Sequence, residues 1–110
     1  MSPIETNGKI IRVVKMEFEE SRVDDFLNIF AASKDRIKSF SGCTHLQLLR
    51  DESDPAVFFT YSHWNSNDDL ENYRRSDLFK SVWSNTKKLF RSSPQAWSLI
   101  DQTALMSEAL

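Results

Sequence analysis

The sequence predicts an α+β domain of the ferredoxin-like, split β-α-β type, in which two helices cover one face of a four-stranded antiparallel sheet. Apolar periodicity changes along the chain in the order strand, helix, strand, strand, helix, strand. Apolar residues occupy both sides of the first strand, so both faces of the sheet are expected to be buried. Because two helices cover only one face, we predict a homodimer in which a second copy covers the other face.

The length of 110 residues fits one domain. We place this domain at residues 9–103, after a flexible leader of residues 1–8 and before a C-terminal tail of residues 104–110. Hydrophobic residues make up 40% of the chain. This proportion is enough to form a core without disulfides or metals.

The first two elements are a strand and a long helix. Residues 10–18, "IIRVVKMEF", are rich in β-branched and apolar residues and are predicted to form strand one. Ser21 precedes Asp24 by three positions, the spacing of a capping box, and Gly42 stands where a helix terminator is expected. The helix between them has one apolar stripe, made of Val23, Phe26, Leu27, Phe30, Ile37 and Phe40.

Strands two and three are predicted over residues 43–50 and 56–64, and "DESDP" between them favours a turn, so the pair is expected to form a hairpin. If Arg50 and Ala56 stand opposite each other, alternate side chains share a face. One face then carries Cys43, His45, Gln47, Leu49, Val57, Phe59, Tyr61 and His63. A slip of one residue would replace the polar members of this set with Thr44, Thr60 and Ser62.

The second half of the chain predicts two helices and a closing strand. The Asn and Ser residues of "NSNDDLENYRRS" suit a turn and a helix cap, so a short helix is expected there. "DLFKSVWSNTKKLF" has apolar residues at helical spacing up to Phe90, and Pro94 ends this second main helix. "QAWSLIDQT" is predicted to be strand four. We interpret Trp83 and Trp97 as core residues.

Composition argues against several classes of function. The formal charge is −2, and no run of Lys or Arg is interleaved with aromatic residues, so nucleic acid is not an expected partner. Cys43 is the only cysteine, which excludes an internal disulfide and a cysteine-built metal site. Two glycines cannot form a dinucleotide cradle, and no apolar stretch is long enough to span a membrane. We therefore predict a cytoplasmic protein with no cofactor, no metal and no membrane partner.

Three segments carry a family resemblance. They are Gly42-Cys43 at the start of strand two, "LLRDESDPAVFFTYSHW" ending at Trp64, and "DLENYRRSDLF" leading into the second main helix. Their order and spacing resemble those of the antibiotic biosynthesis monooxygenase family over about residues 9–103. The resemblance implies a dimeric α+β barrel. It also implies a cofactor-independent monooxygenase that acts on aromatic or quinol-like molecules.

The chain departs from this family at the short helix. Many members carry a histidine where this chain has Tyr73, so imidazole base chemistry is not expected at that position. The haem-degrading branch of the family carries a set of Asn, Trp and His residues. The positions that resemble this set here are Val14, Tyr73 and Trp83. None of the three matches, which disfavours haem degradation.

His45 and His63 are the only histidines, and the predicted pairing puts them on one face beside Tyr61 and Gln47. Polar rings on an apolar face suit a small-ligand cavity, whereas histidines near a barrel rim also suit a structural or surface role. Tyr73 could donate a proton or orient a phenolic oxygen through its hydroxyl. Alternatively, its ring packs over the end of the sheet while the hydroxyl meets water.

Our hypothesis is a monooxygenase whose small aromatic or quinol-type substrate activates oxygen itself, in a mostly apolar pocket between sheet and helices. The catalytic candidates are His63, Tyr73 and His45. The substrate-binding candidates are Tyr61, Trp64, Phe59 and Gln47. Two alternatives stay open: a non-catalytic dimeric domain that binds a small molecule or is structural, and an isomerase of a small carbonyl compound.

Overall fold

The computed structural model describes the backbone of residues 7–109 and the side chains of residues 7–106. Residues 1–6 of the predicted leader lie outside the described residues. The strands are β1 (Ile10–Glu17), β2 (Cys43–Arg50), β3 (Val57–Trp64) and β4 (Gln95–Leu99). The helices are α1 (Val23–Lys38), α2 (Asn67–Arg75), α3 (Asp77–Thr86) and α4 (Gln102–Ala109), with 3₁₀ turns at Glu20–Arg22 and Lys87–Leu89.

The four strands form one antiparallel sheet in the order β2-β3-β1-β4, and α1, α2 and α3 pack against one side of it. This arrangement confirms the predicted ferredoxin-like α+β fold. The side under the helices carries the even-numbered residues of β1 and β3, and we call it the helix-covered face. The opposite side carries their odd-numbered residues, and we call it the open face.

The hydrophobic core lies under the helix-covered face. Phe18 stacks on Phe26 with ring centroids 4.2 Å apart, and Phe58 packs edge-on at 5.3 Å from Phe26. All three rings are almost completely buried. Burial of one such side chain stabilises the fold by about 1.5–3 kcal/mol. The predicted apolar stripe of α1 supplies part of this core, since Val23, Phe26 and Ile37 are buried.

The β2-β3 hairpin keeps the predicted faces although its register differs from the prediction. Arg50 lies opposite Phe58 instead of Ala56, a shift of two residues. Side chains alternate with a period of two, so a shift of two leaves them on the same face. His45, Gln47, Leu49, Phe59, Tyr61 and His63 therefore share the open face, as predicted.

The turn between α1 and β2 depends on Gly42. Its φ is +88°, and a Cβ added there would overlap the side chain of Asp69 in α2, so the position requires glycine. An irregularity in β2 just after this turn brings Cys43 opposite Trp64 on the helix-covered face. The prediction that Cys43 shares a face with His45 is therefore wrong.

The predicted start of α1 and the predicted end of α3 are also corrected. No side chain caps α1, so the Ser21–Asp24 capping box is not formed; Arg22 Nε instead donates to Asp25 Oδ2 at 2.6 Å. α3 ends at Thr86 and does not extend to Phe90, which bridges to Phe18 beyond β1. The 3₁₀ turn at Lys87–Leu89 connects the end of α3 to this bridge.

Strand four is shorter than predicted and a helix occupies most of the predicted tail. β4 ends at Leu99, and the Ala104 amide donates to Asp101 Oδ1 at 3.0 Å near the start of α4. Trp97 is 42% exposed on the open face, so its assignment to the core is wrong. It lies on an edge strand that the helices do not cover. Within residues 7–109, no helix combines the length and the apolar composition that crossing a membrane requires.

Candidate functional site

A cavity of about 290 Å³ lies between the helix-covered face and helices α1, α2 and α3. Its position agrees with the predicted pocket between sheet and helices, and its volume is at the lower end for small-ligand sites. Most of its walls are aliphatic or aromatic, including Trp64, Phe79 and Trp83. The polar side chains that line it are those of Arg12, Thr60, Ser62, Tyr73, Arg74, Thr86 and Gln95.

Two serines hold Tyr73 at the junction of α2 and α3. Ser66 caps α2, with its hydroxyl accepting from the Asp69 amide at 3.0 Å. Ser76 caps α3 by accepting from the Phe79 amide at 3.1 Å, and its own hydroxyl donates to the Tyr73 carbonyl at 2.6 Å. Ser66 therefore sets where α2 begins, and Ser76 sets where α2 ends and where the Tyr73 backbone lies.

Aromatic rings surround the Tyr73 side chain on three sides. Trp64 stacks on it with centroids 5.0 Å apart, and Phe40 and Phe79 contact it edge-on at 5.4 and 5.3 Å. Trp64 is itself fixed, because it is 1% exposed and its Nε1 donates to Ser62 Oγ at 3.0 Å. The ring of Tyr73 is thus held rigidly between the sheet and the end of α1.

The Tyr73 hydroxyl is the group in this cavity best placed to donate a hydrogen bond to a ligand. It forms no hydrogen bond with the described residues, although Tyr73 lines the cavity. Burial of the ring, and secondarily the neighbouring Cys43 thiol, raise the pKa of Tyr73 well above the ordinary tyrosine value. The hydroxyl therefore stays protonated at neutral pH and can donate to a ligand oxygen.

Two guanidinium groups also line the cavity. Arg12 is half-buried on β1, and its Nη1 donates to Ser98 Oγ on β4 at 2.9 Å. Arg74 follows Tyr73 on α2 and pairs with Glu71 at 3.0 Å. Burial, and then the positive charge of Arg74, lower the pKa of Arg12, while Glu71 opposes this effect.

The sheet separates the predicted site residues into two groups. Tyr73 and Trp64 line the cavity. None of the other five lines it, so the expectation of one shared pocket is corrected for His45, Gln47, Phe59, Tyr61 and His63. The reason is strand alternation: Trp64 and His63 are adjacent in sequence and therefore point to opposite faces.

The open-face group is nevertheless a cluster. The His45 ring lies 5.0 Å from that of His63 and 5.8 Å from that of Tyr61, and Tyr61 lies 4.9 Å from His63. His45 Nε2 lies 2.8 Å from Gln47 Oε1. His63 Nε2 is buried and has no hydrogen-bond partner among the described residues. Burial, and then the nearby His45, lower the pKa of His63, with Asp101 opposing.

Sequence reasoning missed Arg12, Ser62 and Arg74 as cavity residues. The sequence did contain a signal for Arg12. It lies two and four residues before Val14 and Met16, so strand alternation places its charge on the buried side of β1. No comparable signal marked Arg74, whose place depends on how α2 packs. The described residues contain no group of three or more His, Cys, Asp or Glu side chains that could hold a metal ion.

Comparison with known proteins agrees with this architecture. The family model of antibiotic biosynthesis monooxygenases matches residues 9–83. No curated protein matches the chain. At identities below 25%, the solved structures that resemble it show the fold alone.

Three of these structures illustrate the likeness. A conserved protein from Methanosarcina mazei Go1 is 17% identical with a TM-score of 0.83, covering 87% of this chain and 95% of its own. A protein from Nitrosomonas europaea is 9% identical with a TM-score of 0.84, covering 91% and 96%. A structure described as an antibiotic biosynthesis monooxygenase is 13% identical with a TM-score of 0.80, covering 84% and 97%.

Proposed function

Because the chain belongs to the antibiotic biosynthesis monooxygenase family, we propose that it oxidises a small aromatic or quinol-type molecule with molecular oxygen in the cavity under the helices. The position of Tyr73 carries this proposal. Its hydroxyl is unpaired within the described residues, and it lines a cavity whose other walls are mostly apolar rings and aliphatic side chains. A flat substrate fits such walls, and the Tyr73 hydroxyl fits the oxygen atom that gains charge during the reaction.

In the proposed reaction the substrate supplies the electrons. Its anion transfers electrons to oxygen, a C–O bond forms, and the Tyr73 hydroxyl protonates the outer peroxide oxygen. The O–O bond then breaks as the substrate C–H bond is lost. One oxygen atom remains in a product carbonyl, and the other leaves as water. The proton released when the substrate ionises restores the Tyr73 hydroxyl.

The protein contributes orientation and exclusion of water. Trp64 and Phe79 hold the Tyr73 ring, so the hydroxyl position is set before the substrate binds. Apolar walls keep water away from the peroxide intermediate. His45 and His63 are not assigned a part in this reaction, because they lie on the other side of the sheet.

Oxygen uptake with a panel of quinols and polycyclic phenols tests the proposal. Tyr73→Phe removes the hydroxyl and keeps the ring, and we expect kcat to fall by about 10²–10⁴-fold, the usual contribution of a positioned acid. Tyr61→Phe removes the other tyrosine hydroxyl, on the open face, and is expected to retain the native rate. Melting curves of both variants check that the fold is kept.

The outcomes separate the alternatives. Loss of uptake in Tyr61→Phe with full activity in Tyr73→Phe would place the chemistry on the open face and overturn the proposal. Binding of panel members without oxygen uptake would favour a non-catalytic binding domain. Conversion of a carbonyl compound without oxygen uptake would favour an isomerase.

We also propose that the open face binds a second copy of the chain. Of the four large hydrophobic residues that are most exposed among the described side chains, three lie on it: Leu49 at 45%, Trp97 at 42% and Leu99 at 46%. The same face carries the buried Nε2 of His63, which has no hydrogen-bond partner in the part of the chain that the structure describes. The open face of a single chain is therefore apolar and leaves a polar atom without a partner. A copy related by a two-fold axis would cover it.

A further inference from the structure

The charged groups of the cavity lie close to one another in the fold. Arg12 lies opposite Ser62 on β3 and opposite Ser98 on β4, in the part of the sheet nearest to Trp64. Arg74 enters the same cavity from α2, one residue after Tyr73. Two cations therefore line one small cavity whose remaining walls are mostly apolar.

Arg12 has more hydrogen-bonding capacity than the chain uses. A guanidinium carries five N–H donors, and the side chain of Arg12 makes one hydrogen bond with described residues, to Ser98 Oγ. The ion pairs among the described residues involve other arginines, namely Arg22, Arg74 and Arg91. A half-buried cation without an ion pair among the described residues is costly, since the hydrogen bond to Ser98 replaces only part of the lost hydration.

Arg74 adds to this cost and does not relieve it. It is exposed and held by Glu71 at 3.0 Å, so its charge is partly compensated while its guanidinium remains in the cavity wall. Burial is the main cause of the lowered pKa of Arg12; the positive charge of Arg74 lowers it further, and Glu71 opposes this effect. An anion bound between the two guanidinium groups would reverse this repulsion into attraction.

Ser62 supplies a third donor. Its oxygen accepts from Trp64 Nε1 at 3.0 Å, and its hydroxyl hydrogen has no acceptor among the described residues. Ser62 is buried and is the cross-strand neighbour of Arg12. Arg12 and Ser62 therefore present unused donors in the same part of the cavity.

We propose that Arg12, Arg74 and Ser62 form an anion-binding site and that the ligand of this cavity is a small aromatic carboxylate. Its ring would occupy the apolar part of the cavity, and its carboxylate would meet the Arg12 fork. This inference rests on the proposed function in placing the substrate in this cavity. It adds the chemical class of the substrate, because a neutral quinol or a hydrocarbon would leave the charge of Arg12 without a counter-ion.

Equilibrium binding tests the inference without requiring turnover. The probe is 2-naphthoate and the neutral comparison is 2-naphthamide, which has the same ring system. Binding is followed by calorimetry at pH 7, where naphthoate is ionised. We expect the native chain to bind naphthoate more tightly than the amide, with the preference decreasing as salt increases.

Three variants locate the effect. Arg12→Gln should weaken naphthoate binding about ten- to hundredfold, the range for one charged hydrogen-bonding partner, and leave naphthamide binding unchanged. Arg74→Gln should weaken it less, because Arg74 is exposed and its charge is shared with Glu71. Arg75→Gln is the matched control, since Arg75 lies on the same helix outside the cavity lining.

A second substitution at position 12 guards against a folding defect. Arg12→Lys keeps the charge and should restore part of the naphthoate preference. If the native chain binds naphthoate no more tightly than naphthamide, as Arg12→Gln and Arg75→Gln then also would, the inference is overturned. If naphthoate binds as expected and no substrate supports oxygen uptake, the anion site stands and the proposed oxidation fails. If neutral quinols are oxidised at rates that Arg12→Gln does not change, the oxidation stands and the anion site fails.

Discussion

The two faces of the sheet carry similar residue types in different surroundings. Phe58 and Phe59 are neighbours in β3, yet Phe58 is 2% exposed and Phe59 is only half-buried. Trp64 is fully enclosed under the helices, whereas Trp97 is 42% exposed on the open face. The difference shows that hydrophobicity selects the strands, while the position of the helices selects which half of the apolar residues becomes core.

The same comparison applies to the polar groups. The open face holds both histidines, which are the groups most often associated with catalysis at neutral pH. The helix-covered face holds Tyr73, Arg12 and Ser62 around a cavity. A cluster of reactive side chains needs a concave, partly dry site to work on a small molecule, and the cavity under the helices is such a site.

The largest expected effect is on the free energy of unfolding, which should depend much more on Phe58 than on Phe59. Phe58→Ala should lower the free energy of unfolding by about 3–5 kcal/mol, since it leaves a cavity in the core. Phe59→Ala should cost about 1 kcal/mol at low protein concentration and more at higher concentration, where a second copy buries it. Urea denaturation at two protein concentrations measures both. Equal costs for the two variants at low concentration would contradict the difference between the faces.

The next effect concerns assembly. Trp97→Asp should weaken the proposed dimer by about a hundredfold to a thousandfold, because a charge replaces a large aromatic side chain in the interface. Sedimentation velocity over a concentration series measures the dissociation. Met106→Asp is the matched control, since Met106 is 57% exposed but lies on α4. A native chain that stays monomeric at every concentration would contradict the proposed dimer.

The smallest effect is a pH dependence that originates on the open face. Because the folded chain lowers the pKa of His63, the unfolded chain binds the proton more readily, and stability is lost as pH falls below about 6.5. Above that pH the contribution is fully present. Urea denaturation between pH 7.5 and pH 5 should show this loss in the native chain. His63→Gln should reduce the slope, and an unchanged slope would assign the dependence to other groups.

The fold was predictable because it depends on periodicity and on turn residues. The alternation in β2 and β3 placed His45, Tyr61 and His63 on one face even though the predicted register was off by two residues. Caps at Ser66 and Ser76 follow from residue types that accept amide hydrogen bonds. The end of α3 at Thr86 was not predictable in this way, since apolar residues continue at helical spacing to Phe90, which instead pairs with the distant Phe18.

The candidate site was predictable only in part. Tyr73 and Trp64 were identified from the sequence, and both line the cavity. The histidines were assigned to the same site because a pattern of alternation defines two faces without saying which one the helices cover. The alternation of β1 places Arg12 on the same side as Val14 and Met16, under the helices. Its proposed role also depends on Arg74, which the packing of α2 brings into the same cavity.

The sequence by itself determined the order of elements, the two sets of side chains on the sheet and the need for glycine at position 42. These follow from local rules: alternation in strands, hydrogen bonding at helix ends and the steric freedom of a residue without Cβ. Only the tertiary structure decided that Tyr73, Arg12 and Ser62 share a cavity while His45 and His63 do not. That decision depends on where the helices pack, which involves contacts between residues far apart in the chain.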